Sequence, residues 1–222
     1  MLNSLFSDAG RLWLIAGCAA LSLCICLPMF LHYKKIRLEL AACFKSLGTA
    51  CAMIMALIAS VKLDPRCWVC FAGLAVHSVA DALLEYHFLI GMGTFICGHI
   101  LYIAFFTGFF SFSAPVLICF LILAVLLILV LYRFRKNAGK SLLPCAVYAS
   151  VLCAMAACGI GGGISSHTVP GAMIAVGAFL FVISDSLIFR SLLFPAEGRM
   201  NKLIMITYYF AQLLIGASCL FI

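Results

Sequence analysis

Five ionisable residues lie inside long apolar runs, where a charge is hard to keep: Lys45, His77, Asp81, His99 and Asp185. Tyr102, Tyr208, Tyr209 and Gln212 add uncharged polar groups in the same kind of surroundings. A Lys, Arg or Asp near the centre of a bilayer costs at least about 2.5–3.5 kcal/mol, so each needs a partner and a role. Two aspartates accompanied by lysine and histidine suit proton transfer. His77, Asp81 and Glu85 are four apart and share one helix face, Phe95, His99 and Tyr102 share a second, and Tyr208 and Gln212 a third. Plainer roles stay open. The aspartates could snorkel to water or pair with Lys45, His99 could be a packed core residue, Tyr102 and Tyr208 interfacial aromatics, and Gln212 a hydrogen bond between helices. Glu85 and His87 read as loop residues.

The elements that must position these groups follow from hydropathy. Two thirds of the chain is hydrophobic (67%) and only 9% is charged, against about 25% charged in soluble domains. A helix needs about 20 apolar residues to cross the hydrocarbon core. Eight such segments are present, at 12–31, 40–61, 67–84, 88–110, 114–132, 142–160, 170–189 and 203–222. The expectation is an all-α, polytopic bundle of about eight transmembrane helices forming a single domain over 1–222, with no room for a soluble domain. Segment 1 reads as a span rather than a cleaved signal, being too long for an ordinary signal core. Charged or breaker-rich stretches separate the segments at 32–37, 62–66, 85–87, 133–136, 159–163 and 195–202. Gly159–Gly163 reads as a flexible outer loop, since it lacks the Lys and the strand–helix context of a phosphate loop.

The net charge of +7 is loop charge rather than a nucleic-acid footprint. The loops after segments 1, 3, 5 and 7 hold ten Lys and Arg (Lys34, Lys35, Arg37, Arg133, Arg135, Lys136, Lys140, Arg190, Arg199, Lys202), and the opposite side holds three (Arg11, Lys62, Arg66). The asymmetry puts the odd loops in the cytoplasm and both termini outside, in a multi-pass protein of the cell membrane. With that orientation Lys45, Asp81, His99, Asp185 and Gln212 fall in one layer on the cytoplasmic side, which implies a polar pocket opening toward the cytoplasm or inner leaflet. The 13 cysteines lie in apolar runs and read as small hydrophobes. Cys67 and Cys70 form one C-x-x-C without a matching His spacing, so no metal or cofactor is expected.

The two halves also echo each other. Gly73 precedes Asp81 by eight residues and Gly177 precedes Asp185 by eight; Gly98-His99-Ile100-Leu101 pairs with Ala211-Gln212-Leu213-Leu214. With four helices in each half the repeats would run parallel, and such repeats place a site at their interface.

At these residues the sequence resembles the YhhN family of membrane proteins, which includes the lysoplasmalogenases. Phe88, Gly91, Met92, Phe95, His99 and Tyr102 match its F-x-x-G-[LM]-x-x-F-x-x-x-H-x-x-Y helix. Residues 177–185 match G-A-x-L-F-x-x-S-D, and 208–215 match Y-x-x-A-Q-x-L-I. Ala80-Asp81 stands where the family usually has Gly-Asp, and Lys45-Ser46 where it often has Lys-Pro. The resemblance implies hydrolysis of the vinyl ether bond of a lysophospholipid, a lysoplasmalogen, to a fatty aldehyde and a glycerophospho-alcohol. Asp81 and Asp185 would be the catalytic pair, with Lys45, His99, Tyr102, Tyr208 and Gln212 supporting them or binding substrate. Two other readings compete: a proton- or cation-coupled transporter or lipid-binding protein built on the same carboxylates, and a hydrolase of other lysolipids. No G-x-S-x-G elbow supports a serine mechanism.

Overall fold

The computed structural model describes residues 7–194 and 198–222 and is all-α. Eight helices are long and apolar enough to span a membrane: α1 (Asp8–Tyr33), α2 (Leu38–Lys62), α3 (Cys67–Tyr86), α4 (Phe88–Phe109), α5 (Ala114–Ala138), α6 (Leu142–Ser166), α7 (Val169–Leu193) and α8 (Gly198–Ser218). Most outrun their apolar cores, because polar residues continue the helix into the interface. Arg133–Lys136, expected as a separator, is the last turns of α5, and Glu85 is helical in α3 rather than in a loop. In the separator expected at 195–202, residues 195–197 lie outside the described residues and 198–202 open α8.

Local chemistry sets helix ends and a widening of α1. Thr168 caps α7 by accepting from the Gly171 amide at 3.2 Å, with Pro170 in the first turn. α1 widens into a π segment at Leu21–Cys26, just before Pro28, which has no N–H to offer the carbonyl four residues back. Between α2 and α3, Arg66 donates to the Asp64 carboxylate from its backbone and side chain and lies over the Phe109 ring at 4.1 Å. The Arg66 side-chain hydrogen bonds hold the Asp64 carboxyl below the usual carboxylate range.

Helices α2, α3, α4, α6, α7 and α8 follow one another as neighbours, and the circuit closes where α8 meets α2. α1 packs outside α2, and α5 outside α6. Exchanging α1–α4 for α5–α8 maps this neighbour pattern onto itself. The correspondence reaches single contacts: a Cβ on Gly73 would strike the Tyr102 ring, and one on Gly177 would strike Ile215. Polar groups tie adjacent helices where lipid offers none. Ser46 and Ser78 each donate to the other's carbonyl, at 2.7 and 3.0 Å, joining α2 to α3.

The glycine run corrects the loop expectation. Gly159, Gly161, Gly162 and Gly163 are buried within the C-terminal turns of α6. A Cβ on Gly161 would lie 2.4 Å from Val116 Cα, and one on Gly163 would lie 2.2 Å from the Gly171 carbonyl oxygen. Glycine here is the small residue that lets backbones approach, as in other membrane helix pairs.

Gly161→Ala should therefore lower thermal stability in detergent by about 1–3 kcal/mol through overpacking against backbone. Gly93→Ala, where a Cβ meets nothing within 4 Å, should be neutral or slightly stabilising. Equal melting of the two variants would refute the packing role.

Candidate active site

Helix α3 carries Asp81 fully enclosed. Its Oδ2 accepts from Thr49 Oγ1 at 2.5 Å and from Tyr208 Oη at 2.8 Å. Its Oδ1 accepts no hydrogen bond and stands 3.9 Å from Lys45 Nζ. Lys45 reaches the site from α2 and donates to Glu85 Oε1 at 2.8 Å, and Lys34 Nζ lies 3.8 Å from the other Glu85 oxygen. The Phe30 ring lies under both ammonium groups, at 5.0 Å from Lys34 and 5.7 Å from Lys45. Charges thus alternate along Lys34, Glu85, Lys45 and Asp81. Behind Asp81 the hydrogen bonds continue inward: Gln212 Nε2 donates to Tyr208 Oη at 3.0 Å, and Tyr102 Oη donates to Gln212 Oε1.

Asp185, on α7, has a different retinue. Its Oδ2 accepts from Tyr148 Oη, on α6. His99, on α4, sits 3.1 Å from that hydroxyl and 3.9 Å from the carboxylate. With Tyr148 donating to Asp185, the Nε2 tautomer of His99 completes the line by donating to the Tyr148 oxygen. No lysine or arginine pairs with Asp185 among the described residues.

Each aspartate is thus reached from corresponding places. Asp81 is met from α2 and α8, Asp185 from α6 and α4, the equivalents under the exchange of halves. His77 lies between the two clusters, fully buried, with ring centroids of Phe95, His99, Tyr102 and Phe181 at 4.7–5.5 Å. Gly98 is what admits it: a Cβ there would be 2.6 Å from His77 Nε2.

Both aspartates line one cavity of about 720 Å³. Lys45 and Tyr208 line it too, with Lys34, Glu85 and Arg190 among its charged groups. His99, Tyr102 and Gln212 do not reach the cavity; they stand behind the lining residues and hold them. Reading the sequence missed Thr49 and Tyr148 and left Glu85 in a loop. Thr49 follows Lys45 by four residues on the same face, and Tyr148 is a lone phenol in the apolar run 142–160, so both carried a usable signal.

The family model described as YhhN matches residues 40–219. The chain belongs to the YhhN family. The YhhN match takes in both aspartate clusters and leaves out only the α1 contributions, Phe30 and Lys34. The YhhN family includes lysoplasmalogenases. No curated protein and no solved structure matches the chain.

Lys45 is the cation between two buried carboxylates, its side chain 7% exposed beside Glu85 at 8% and Asp81 at 0%. Lys45→Met should destabilise the protein by about 3–5 kcal/mol, because the partners are left as uncompensated buried charge. Adding Glu85→Gln should recover part of the loss. A single variant that melts with wild type would show the ammonium to be dispensable.

Proposed function

We propose that this protein is a hydrolase of the vinyl ether bond of lysoplasmalogens, acting with two aspartates inside the membrane. The observation that carries the reading is that Asp81 and Asp185 line one cavity in unlike company. Asp81 has an ammonium 3.9 Å away, and among the described residues Asp185 has a phenol and a histidine beside it and no paired cation. That difference favours Asp81 as the standing carboxylate and Asp185 as the proton carrier. Pairs of carboxyl groups in different environments divide such roles in glycosidases, whose transition states also have oxocarbenium character.

Asp185 gives its proton to the outer alkene carbon, leaving an oxocarbenium ion that the Asp81 carboxylate stabilises. Water adds to the cationic carbon and passes a proton to Asp81 Oδ1, the oxygen without a hydrogen bond. The hemiacetal then collapses. Asp81 returns that proton to the departing glycerol oxygen, the hemiacetal hydroxyl gives its proton to Asp185, and aldehyde and alcohol leave. Tyr148 and Tyr208 orient the carboxyl groups throughout.

The test is aldehyde release from a lysoplasmalogen by purified protein in detergent. Asp81→Asn and Asp185→Asn should fold and lose about 10²-fold or more, and Tyr148→Phe about tenfold, the worth of one hydrogen bond. An inert wild type on choline and ethanolamine substrates ends the hydrolase reading.

We also place the basic end of the bundle in the cytoplasm, on the ten-to-three distribution of Lys and Arg. A protease site inserted at Gly139, between α5 and α6, should be cut in inside-out vesicles and protected in intact cells. The reverse pattern would invert the orientation.

A further inference from the structure

The α5 helix poses a packing question. It leans on α6 and scarcely meets α7, and Val116 is its one buried residue among those described. Yet six of its apolar side chains, Leu123, Leu126, Leu127, Val130, Leu131 and Phe134, line the same cavity as Asp81 and Asp185. Their spacings of three and four put them on one face, a stripe about 16 Å long at 1.5 Å per residue. The opposite wall is apolar as well, with Leu152 and Cys153 of α6 and Val182 of α7. Cys153 Sγ donates to the Leu123 carbonyl at 3.8 Å, where α6 meets the far end of the stripe. The charged lining residues Lys34, Glu85 and Arg190 lie toward the other, basic end. The cavity is therefore polar at one end, acidic part-way along and hydrocarbon-like beside α5.

We infer that the α5 stripe is the slot for the single aliphatic chain of the substrate, and that Leu127 and Leu131 at its centre determine how tightly that chain is held. A one-chain amphiphile matches the lining end to end. The head meets Lys34, Glu85 and Arg190, the bond next to the head lies by the aspartates, and the chain lies along the partly exposed stripe of α5. This rests on the proposed function for the position of the reacting bond, but the slot itself can be read by binding alone.

The probe is a saturated 1-O-alkyl lysophospholipid, which has the same head and chain but no alkene to protonate. Its binding to wild-type protein in detergent micelles is compared with binding to Leu127→Trp, which fills the slot, and Ile128→Trp on the lipid-facing side, where the residue is 65% exposed. Leu127→Trp should weaken binding about tenfold or more, the scale on which apolar pockets discriminate small changes in fit, and Ile128→Trp should leave it within about twofold of wild type. On a long-chain vinyl ether substrate the Leu127 variant should raise KM and leave kcat nearly unchanged. Leu127→Ser, which removes apolar contact without adding bulk, should weaken binding in the same direction and serves if the tryptophan variant does not fold. Equal affinities in all variants, or equal weakening by both tryptophans, would overturn the slot. A wild type that binds the alkyl probe but releases no aldehyde from the vinyl ether would end the hydrolase reading and leave the slot standing.

Discussion

The ammonium of Lys45 is the interaction on which the rest of the site depends. Two carboxylates, Asp81 and Glu85, sit on one face of α3 in a region that eight apolar helices keep away from water. Unpaired, either would be too costly to bury ionised. With Lys45 between them and Lys34 beyond, the charges alternate and compensate, and a permanent negative charge becomes affordable beside an apolar cavity. α2 supplies the cation, and its path is set by Gly48. A Cβ there would be 2.3 Å from the Tyr209 ring, and Tyr209 in turn donates to the Lys45 carbonyl at 3.1 Å. Close packing of α2 on α8 thus fixes the backbone that carries the charge.

The two halves of the chain build the same frame and furnish it differently. An aspartate on the third helix of each half is met from the preceding helix and from the fourth helix of the other half. In the first case the visitors are Lys45, Thr49 and Tyr208; in the second they are Tyr148 and His99. A symmetric frame holds the carboxyl groups around one cavity, and the asymmetric partners give them unlike electrostatics, the condition for dividing acid and base roles.

How much of this was legible in the sequence varied with the kind of signal. The eight spans were readable because the bilayer imposes length and apolarity on each helix separately. The aspartates, Lys45 and Tyr208 were readable because an ionisable or phenolic group in a span is conspicuous. Gly159–Gly163 was misread because a glycine run means a turn in water, whereas in lipid it means close helix packing. Glu85 was misplaced because charge near a segment end looks like loop, and its partner Lys45 is 40 residues away. That His99, Tyr102 and Gln212 stand behind the cavity was not legible at all. Shared depth places residues in one layer, but only the packing of α4 and α8 decides which of them face the empty space.

The layer behind the cavity holds the lining residues through hydrogen bonds. Tyr102, Gln212 and Tyr208 form a continuous hydrogen-bonded line ending on Asp81, and His99 and Tyr148 form a shorter one ending on Asp185. His77 is packed between them against four rings, and its ring nitrogens make no side-chain hydrogen bond. Its ring stands between the two lines and fills the space that Gly98 leaves. Each carboxyl is then aimed by donors that are themselves held, the arrangement that preorganised electrostatics requires, since donors that had to reorient during proton transfer would forfeit much of their stabilising effect. α5 is attached on one side, meeting α6 closely and α7 scarcely. The cavity therefore has its hydrogen-bonded aspartates on one wall and a stripe of leucines of α5 on another, so an apolar chain could lie along α5 without displacing the polar groups.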